Sequence, residues 1–324
     1  MERDDPNAGV AGVTGFSARK TASRMCPRRP LTPEQLDSDL TQSWLEKQAV
    51  TSYFESRSSY WDEMYSRRDL CGYIYQQRLS IFLRWAEQLA LPEGSRILDI
   101  GCGAGVGTVA LARQGHFVTA MDAAQGMIEH ARQRASEAGV ADRITTSLGD
   151  VHRLAFPSDH FAMVLAMGVI PWLPEPEAAI REMARVVEPG GYVLASTDNL
   201  WRLHSLFNAS KTHFFGPFRW AARALRRAMG RGEGITLHHL HSVRHADRLF
   251  RSVGLKKIKS ITLGFGPFSF FGHRLLRDSV GIQLHQKLQD MADRGLPVIG
   301  SAGGQYLVLM RKMHRAGDSQ DCPS

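Results

Sequence analysis

The chain has 324 residues, with 43% apolar and 22% charged side chains, and its 40 Lys and Arg against 32 Asp and Glu give a formal charge of +8. That balance excludes disorder throughout and leaves enough chain to bury a core of more than one average domain. Four scattered cysteines, Cys26, Cys71, Cys102 and Cys322, show no metal-type spacing and exclude a disulfide scaffold, and no apolar run reaches the roughly 18–20 residues of a membrane span.

Residues 1–30 are rich in Gly, Ala, Ser, Arg and Pro without periodicity and read as a disordered tail. The opening MERDDPN is too acidic for a leader, so a cytoplasmic location is expected. Residues 31–94 form an N-terminal helical segment. Thr32 is a candidate N-cap before Pro33, and Leu79, Phe82, Leu83 and Leu89 recur at helical spacing ahead of Pro92 and Gly94. Across 95–200 strands and helices alternate. Strands are predicted at Arg96–Ile100, His116–Met121, Ile144–Leu148, Phe161–Ala166 and Tyr192–Ser196. Helices are predicted at Thr108–Ala112, Ala124–Ala138 and Pro176–Val187, the last stopped by Pro189-Gly190-Gly191. This spacing predicts an α/β fold with a doubly wound, mostly parallel sheet. Residues 201–245 interrupt the pattern as an insertion. Residues 246–315 complete the fold, with a helix from Val243 to Ser252 entering it, a strand at Lys256–Leu263, an irregular and helical insertion, and a last strand at Gln305–Met310; residues 316–324 are a tail.

The first strand runs into LDIGCGAGVG, Leu98 to Gly107. Gly101, Gly103 and Gly105 permit a tight turn and close approach of a ligand, and the helix that follows offers free amides at its N-terminus. The spacing is G-x-G-x-G rather than the dinucleotide G-x-G-x-x-G, because Val106 or Thr108 stands at the third glycine position. A nicotinamide oxidoreductase is therefore disfavoured. Asp99, just before the loop, would repel a pyrophosphate and welcome an ammonium group. Asp122 ends the second strand about twenty residues on, where a carboxylate can take both hydroxyls of a ribose. Asp150 follows the third strand, in position for the amino group of an adenine.

These stretches, with TAMDAAQGMIEHAR, LGDVHRLAFPSDHF and IREMARVVEPGGYVL, resemble the motifs of class I S-adenosylmethionine-dependent methyltransferases, most closely the small-molecule enzymes of ubiquinone and menaquinone type. The resemblance is dense over Arg96–Ser196 and weak on either side, although YFESRSSYWDEMY from Tyr53 is similar to the aromatic lead-in of quinone and porphyrin methyltransferases. It implies a seven-stranded Rossmann-like sheet and S-adenosylmethionine as cofactor. By position it implies that Asp99 and Gly101–Gly105 face the methionine part, that Asp122 binds the ribose, and that Ala123 and Met127 line the adenine pocket. Asp150 and Val151 would read the adenine, and Met167 would lie beside the sulfonium. Tyr53, Tyr60 or Trp61 would lid the pocket.

The base that an oxygen or carbon acceptor needs is sought among His204 and the TLHHLHS histidines, with His204, His239 and His241 as candidates and His152 as a further choice. His241 and His245 share an i, i+4 spacing, but no carboxylate or cysteine joins them closely in sequence, and no metal is expected. The charge is unevenly spread: residues 1–94 sum to −1, 95–200 to −4, 201–260 to +11 and 261–324 to +2. Within 201–245, FRWAARALRRAMG reads as an amphipathic helix with Arg219, Arg223, Arg226 and Arg227 on one face, a lid that suits an anionic membrane surface or acceptor. Gly264–Gly272, GFGPFSFFG, would add an apolar wall, so a hydrophobic acceptor such as a quinone, lipid or polyketide-like molecule is expected. No nucleic-acid partner is expected, since Ile170-Pro171-Trp172-Leu173 stands where DNA amino-methyltransferases carry an Asn/Asp-Pro-Pro-aromatic motif. The competing readings are a non-catalytic scaffold of the same fold and a nucleic-acid methyltransferase. Oligomeric state is left open.

Overall fold

Strand β1 (Arg96–Ile100), inside the sheet, is flanked by β2 (Phe117–Asp122) and β4 (Phe161–Ala166), both parallel to it. A computed structural model describes residues 33–203, 238–270 and 273–314. The chain divides after Leu40, and the fold below belongs to the unit Thr41–Ser324. The sheet has seven strands in the order β3-β2-β1-β4-β5-β9-β6. It adds β3 (Ile144–Leu148), β5 (Val187–Asp198), β6 (Leu255–Leu263) and β9 (Gln305–Lys312), while β7 (Ser269–Phe270) and β8 (His273–Arg274) form a separate hairpin. Strands β1 to β5 are parallel, and β9 runs antiparallel to both β5 and β6. The mostly parallel, doubly wound expectation holds.

The helices are α1 (Pro33–Glu55), α2 (Ser58–Glu63), α3 (Leu70–Glu87), α4 (Val106–Arg113), α5 (Gln125–Glu137), α6 (Pro176–Val186), α7 (Val243–Ser252) and α8 (Asp278–Asp293). Because strand side chains alternate between faces, β1 sends Leu98 and Ile100 into a core shared with α6 and α7. Ile97 joins a second core with α3 and α4, on the opposite face. Asp99 shares the Ile97 face, which puts a carboxylate under the α3–α4 layer.

Some boundaries differ from the sequence expectation for physical reasons. Helix α4 opens two residues before Thr108, because Gly105 in the left-handed region (φ +76°) forms its N-cap. Strand β5 begins at Val187 and passes through Pro189-Gly190-Gly191, where the pairing register shifts opposite Phe161 and Met163. A bulge accommodates a proline that a regular central strand would reject. The 31–94 segment holds three helices among its described residues, and Asp69 caps the third, accepting from Gly72 N at 2.8 Å. Thr32 and residues 204–237, with His204 and the arginine-rich stretch expected to be helical, lie outside the described residues.

Candidate active site

A cavity of about 440 Å³ opens at the C-terminal ends of β1 to β4, the place where open α/β sheets bind ligands. Asp99, Gly101, Gly103, Asp122, Ala123, Met127, Asp150, Val151 and Met167 all line it. Gly105 does not; it sits behind the loop, where a Cβ would lie 3.0 Å from Ala131. Gly103 (φ +53°) has nothing within 4 Å of the Cβ position, so its backbone borders open space that a ligand can fill.

Three charges organise the cavity. Asp99 is 5% exposed and accepts a 2.6 Å hydrogen bond from the Thr108 hydroxyl. Burial pushes its carboxyl up to about 7, with the Thr108 bond opposing and the Asp122 charge adding. Asp122 accepts from Gly103 N and Ala124 N, each at 3.0 Å. Burial raises it as well, against those amide bonds. The third charge, absent from the sequence expectation, is Arg78 on α3. It is 4% exposed, lines the cavity, donates to the Tyr65 hydroxyl at 3.0 Å and lies 4.4 Å over the Tyr75 ring. Its Nε has no partner, and no carboxylate among the described residues lies at ion-pair distance. A buried guanidinium without a counter-ion fits an anionic ligand group. The sequence signal was a charge on a buried stripe, Leu70, Ile74, Arg78 and Ile81.

At the β3 end Asp150 is already engaged. Its Oδ1 accepts from His152 N at 2.9 Å and lies 2.5 Å from His152 Nδ1, while Lys47 Nζ lies 3.3 Å from Oδ2. Partial burial opposes it, yet the His152 bonds and the Lys47 charge hold this carboxyl well below the usual range. A carboxylate has about four acceptor positions, so one remains for an adenine amino group. His152 Nε2 is buried without a partner.

Aromatic rings close the other side. Trp172, in a 3₁₀ turn after β4, stacks on Tyr53 (centroids 5.3 Å) and meets Phe54 edge-on (4.9 Å); Phe54, Trp61, Tyr65 and Tyr75 join it around the site. Tyr60 is 44% exposed and turned away to Arg67. His241 is buried, stacks on His245 (5.5 Å), and has its pKa lowered by burial and by the neighbouring histidines. His239 is fixed by its backbone amide, which donates to Pro171 O. No group of three potential ligand side chains gathers for a metal among the described residues.

An amino-acid group, a ribose and an adenine need an anion, a cation, a second anion and an apolar slot. Asp99, Arg78, Asp122 and the Met127–Val151 wall supply them in one cavity, and Gly103 leaves room at the backbone. The residues present fit S-adenosylmethionine.

Comparison with known proteins agrees. Residues 98–195 match the methyltransferase domain family. The chain is 39% identical over 118 residues to the ubiquinone biosynthesis O-methyltransferase of Paracidovorax citrulli, covering 36% of this chain and 49% of that protein. It is 32% identical over 146 residues to the Pectobacterium carotovorum protein of the same name, covering 45% and 59%. The chain thus spans about half the length of the curated relatives it matches. Among solved structures, magnesium protoporphyrin IX methyltransferase from Synechocystis PCC 6803 with bound S-adenosylhomocysteine superposes with a TM-score of 0.55 at 15% identity, over 82% of this chain and 99% of that one. No described helix is long and apolar enough to cross a membrane. Residues 98–195 form a methyltransferase domain, on the fold of the S-adenosylhomocysteine-bound enzyme.

Proposed function

We propose that the chain transfers a methyl group from S-adenosylmethionine to a small, largely apolar acceptor, by O- or C-methylation. The observation that carries this is the sign pattern of one cavity: buried Asp99 and Arg78, whose Nε has no partner, on its α3 face, Asp122 at the neighbouring strand end, and an aromatic wall beyond Gly168.

S-Adenosylmethionine supplies a methyl group already activated on a sulfonium. The chain's residues orient it and keep water away. Asp99 receives the ammonium, Arg78 the carboxylate and Asp122 the ribose hydroxyls. Met127 and Val151, both buried, bound the adenine slot. Met167 and Gly168 face the reacting side, where Ser196 Oγ accepts from Gly168 N at 2.8 Å and so holds the loop after β4. Phe54, Trp61 and Trp172 favour an acceptor with an apolar body, and the similarity to proteins named ubiquinone biosynthesis O-methyltransferase supports that reading.

Titration calorimetry with S-adenosylhomocysteine tests the reading. The chain binds, and Asp122→Ala weakens binding by at least about tenfold, the loss of charge-assisted hydrogen bonds. No binding, or binding indifferent to Asp122→Ala, overturns it. Peripheral membrane contact is a separate proposal, resting on the arginines of 204–237 and tested at the scale of the whole molecule below.

A further inference from the structure

We propose that the stacked pair His241 and His245 is an acid-operated catch: when the two rings take protons, residues 238–242 come away from the sheet and the Trp172 wall of the cavity loosens. This goes beyond methyl transfer and does not depend on the identity of the acceptor.

The geometry begins with how few bonds hold the segment. Residues 238–242 run between the 3₁₀ turn after β4 and the end of β5, then enter α7. His239 N donates to Pro171 O at 2.5 Å, His241 N to Asp198 O at 3.0 Å, and Leu200 N to His241 O at 3.0 Å. His241 pairs with Asn199 as a single parallel bridge. The 3₁₀ turn Ile170–Trp172 supplies the cavity-lining indole, and the His238 ring meets that indole edge-on at 4.8 Å between centroids. The segment therefore braces a wall of the cavity.

Three features oppose a charge on the histidine pair. His241 is 9% exposed and its Nε2 has no partner, so a proton there becomes a buried, unsatisfied donor on a charged ring. The His245 ring lies 5.5 Å away and within 8° of parallel, so a second proton sets two cations face to face. Both rings also stand at the positive end of α7. Ser242 is its N-cap and accepts from His245 N at 3.2 Å, and the first turn holds Arg244 and no acid. Burial, then the neighbouring histidines, hold His241 below the usual imidazole range. The other charged groups around the pair are Glu177 from α6, Asp198 from β5, and His238 and His239 on the segment itself. Glu177 favours the proton on His241, but it is exposed and screened by solvent. Asp198 is shared between His238 Nε2 at 3.2 Å and Arg202 Nη1 at 3.6 Å.

The sign follows. In the docked segment both rings stay neutral; released into water they return to an ordinary value of about 6.5. The docked form binds fewer protons than the released form, so docking is at full strength well above pH 6.5 and weakens as pH falls below it. A ring that takes its proton only on release raises the released-to-docked ratio about 30-fold between pH 7.5 and pH 5. Two such rings raise it about 1,000-fold.

Hydrogen–deuterium exchange of the ligand-free full chain, corrected for the intrinsic pH dependence of amide exchange, tests the catch. Between pH 7.5 and pH 5 the amides of Leu200, His239 and His241 lose protection by up to about 1,000-fold, while those of β1 keep theirs. His241→Phe and His245→Gln, made separately, each cut that loss to about 30-fold, and the double variant flattens it. Protection that is constant with pH in the wild type overturns the proposal. So does a double variant with the wild-type loss, or a simultaneous loss in β1, which is acid unfolding. The link to the cavity is read by stopped-flow dissociation of S-adenosylhomocysteine. Its rate rises more steeply from pH 7.5 to pH 5 in the wild type than in the double variant, and both chains share the titration of Asp99. Equal steepness in the two chains overturns that link.

Discussion

Asp99 is the residue whose chemistry is most exposed to measurement. Its carboxyl, pushed up to about 7 by burial, is mostly protonated at pH 6 and mostly ionised at pH 8.5. A ligand ammonium favours the ionised form, so S-adenosylhomocysteine binding releases close to one proton at pH 6 and little at pH 8.5. Calorimetry in buffers of different ionisation enthalpy counts those protons, and Asp99→Asn abolishes the difference. The same shift has a stability consequence. The folded chain binds the Asp99 proton more tightly than the unfolded chain, so between about pH 4 and 7 the unfolded state has fewer protons and stability falls as pH rises. Urea midpoints at pH 5 and pH 8 show this decline, and it flattens in Asp99→Asn.

Arg78 makes the complementary case on the same face. Arg78→Leu removes a buried cation that lacks a counter-ion, so folding loses little or gains. Affinity for S-adenosylhomocysteine falls by roughly 10- to 100-fold, the value of a charged hydrogen bond of about 1.5–3 kcal/mol. Affinity for methylthioadenosine, which has no carboxylate, is unchanged. A loss for both ligands would mean that Arg78 only braces the cavity. The acidic residues of the site were legible because each stands at a strand end or beside a glycine loop, where local sequence alone dictates position. Arg78 was not, because its meaning depends on which helix face meets the sheet.

At the scale of elements, α1 shows what local sequence leaves out. The strands and helices of 95–200 could be read from alternation, since each βα unit packs on the one before it. Helix α1 is tied to distant parts: Lys47 to Asp150, Ser43 to Glu175, and Tyr53 and Phe54 to Trp172. Glu55, at its last residue, accepts from Gly126 N with both oxygens at 3.1 Å. Helix α5 begins behind Ala124, whose side chain cannot cap it, so Glu55 meets the first-turn amide from 71 positions away. Glu55→Ala is therefore a capping mutation in effect, costing about 1 kcal/mol in chemical denaturation. It also loosens α1 over the cavity, so the dissociation rate of S-adenosylhomocysteine rises while Glu46→Ala, on the opposite side of the same helix, leaves it unchanged.

The whole molecule's charge divides by location rather than belonging to one lid. Of the +11 in 201–260, Arg244, Arg248 and Arg251 lie on α7 and Lys256, Lys257 and Lys259 on β6, the edge strand of the sheet. Lysines on an edge strand oppose pairing with another chain, and two here are committed: Lys257 to Asp247 at 2.5 Å, Lys259 to Gln88 at 2.5 Å and over the Trp85 ring at 4.9 Å. Those two lysines have a structural use. The membrane proposal then rests on Arg219, Arg223, Arg226 and Arg227, which share a helical spacing with Phe218, Ala222, Leu225 and Met229. Each such arginine near an anionic surface contributes about 1 kcal/mol. Sedimentation with phosphatidylserine-containing vesicles separates the two groups. Arg223→Glu with Arg226→Glu abolishes cosedimentation, whereas Arg248→Gln with Lys256→Gln leaves most of it. If the second pair abolishes binding and the first does not, the anionic surface is met by the sheet edge, and the insertion must be read as a cover for the acceptor alone.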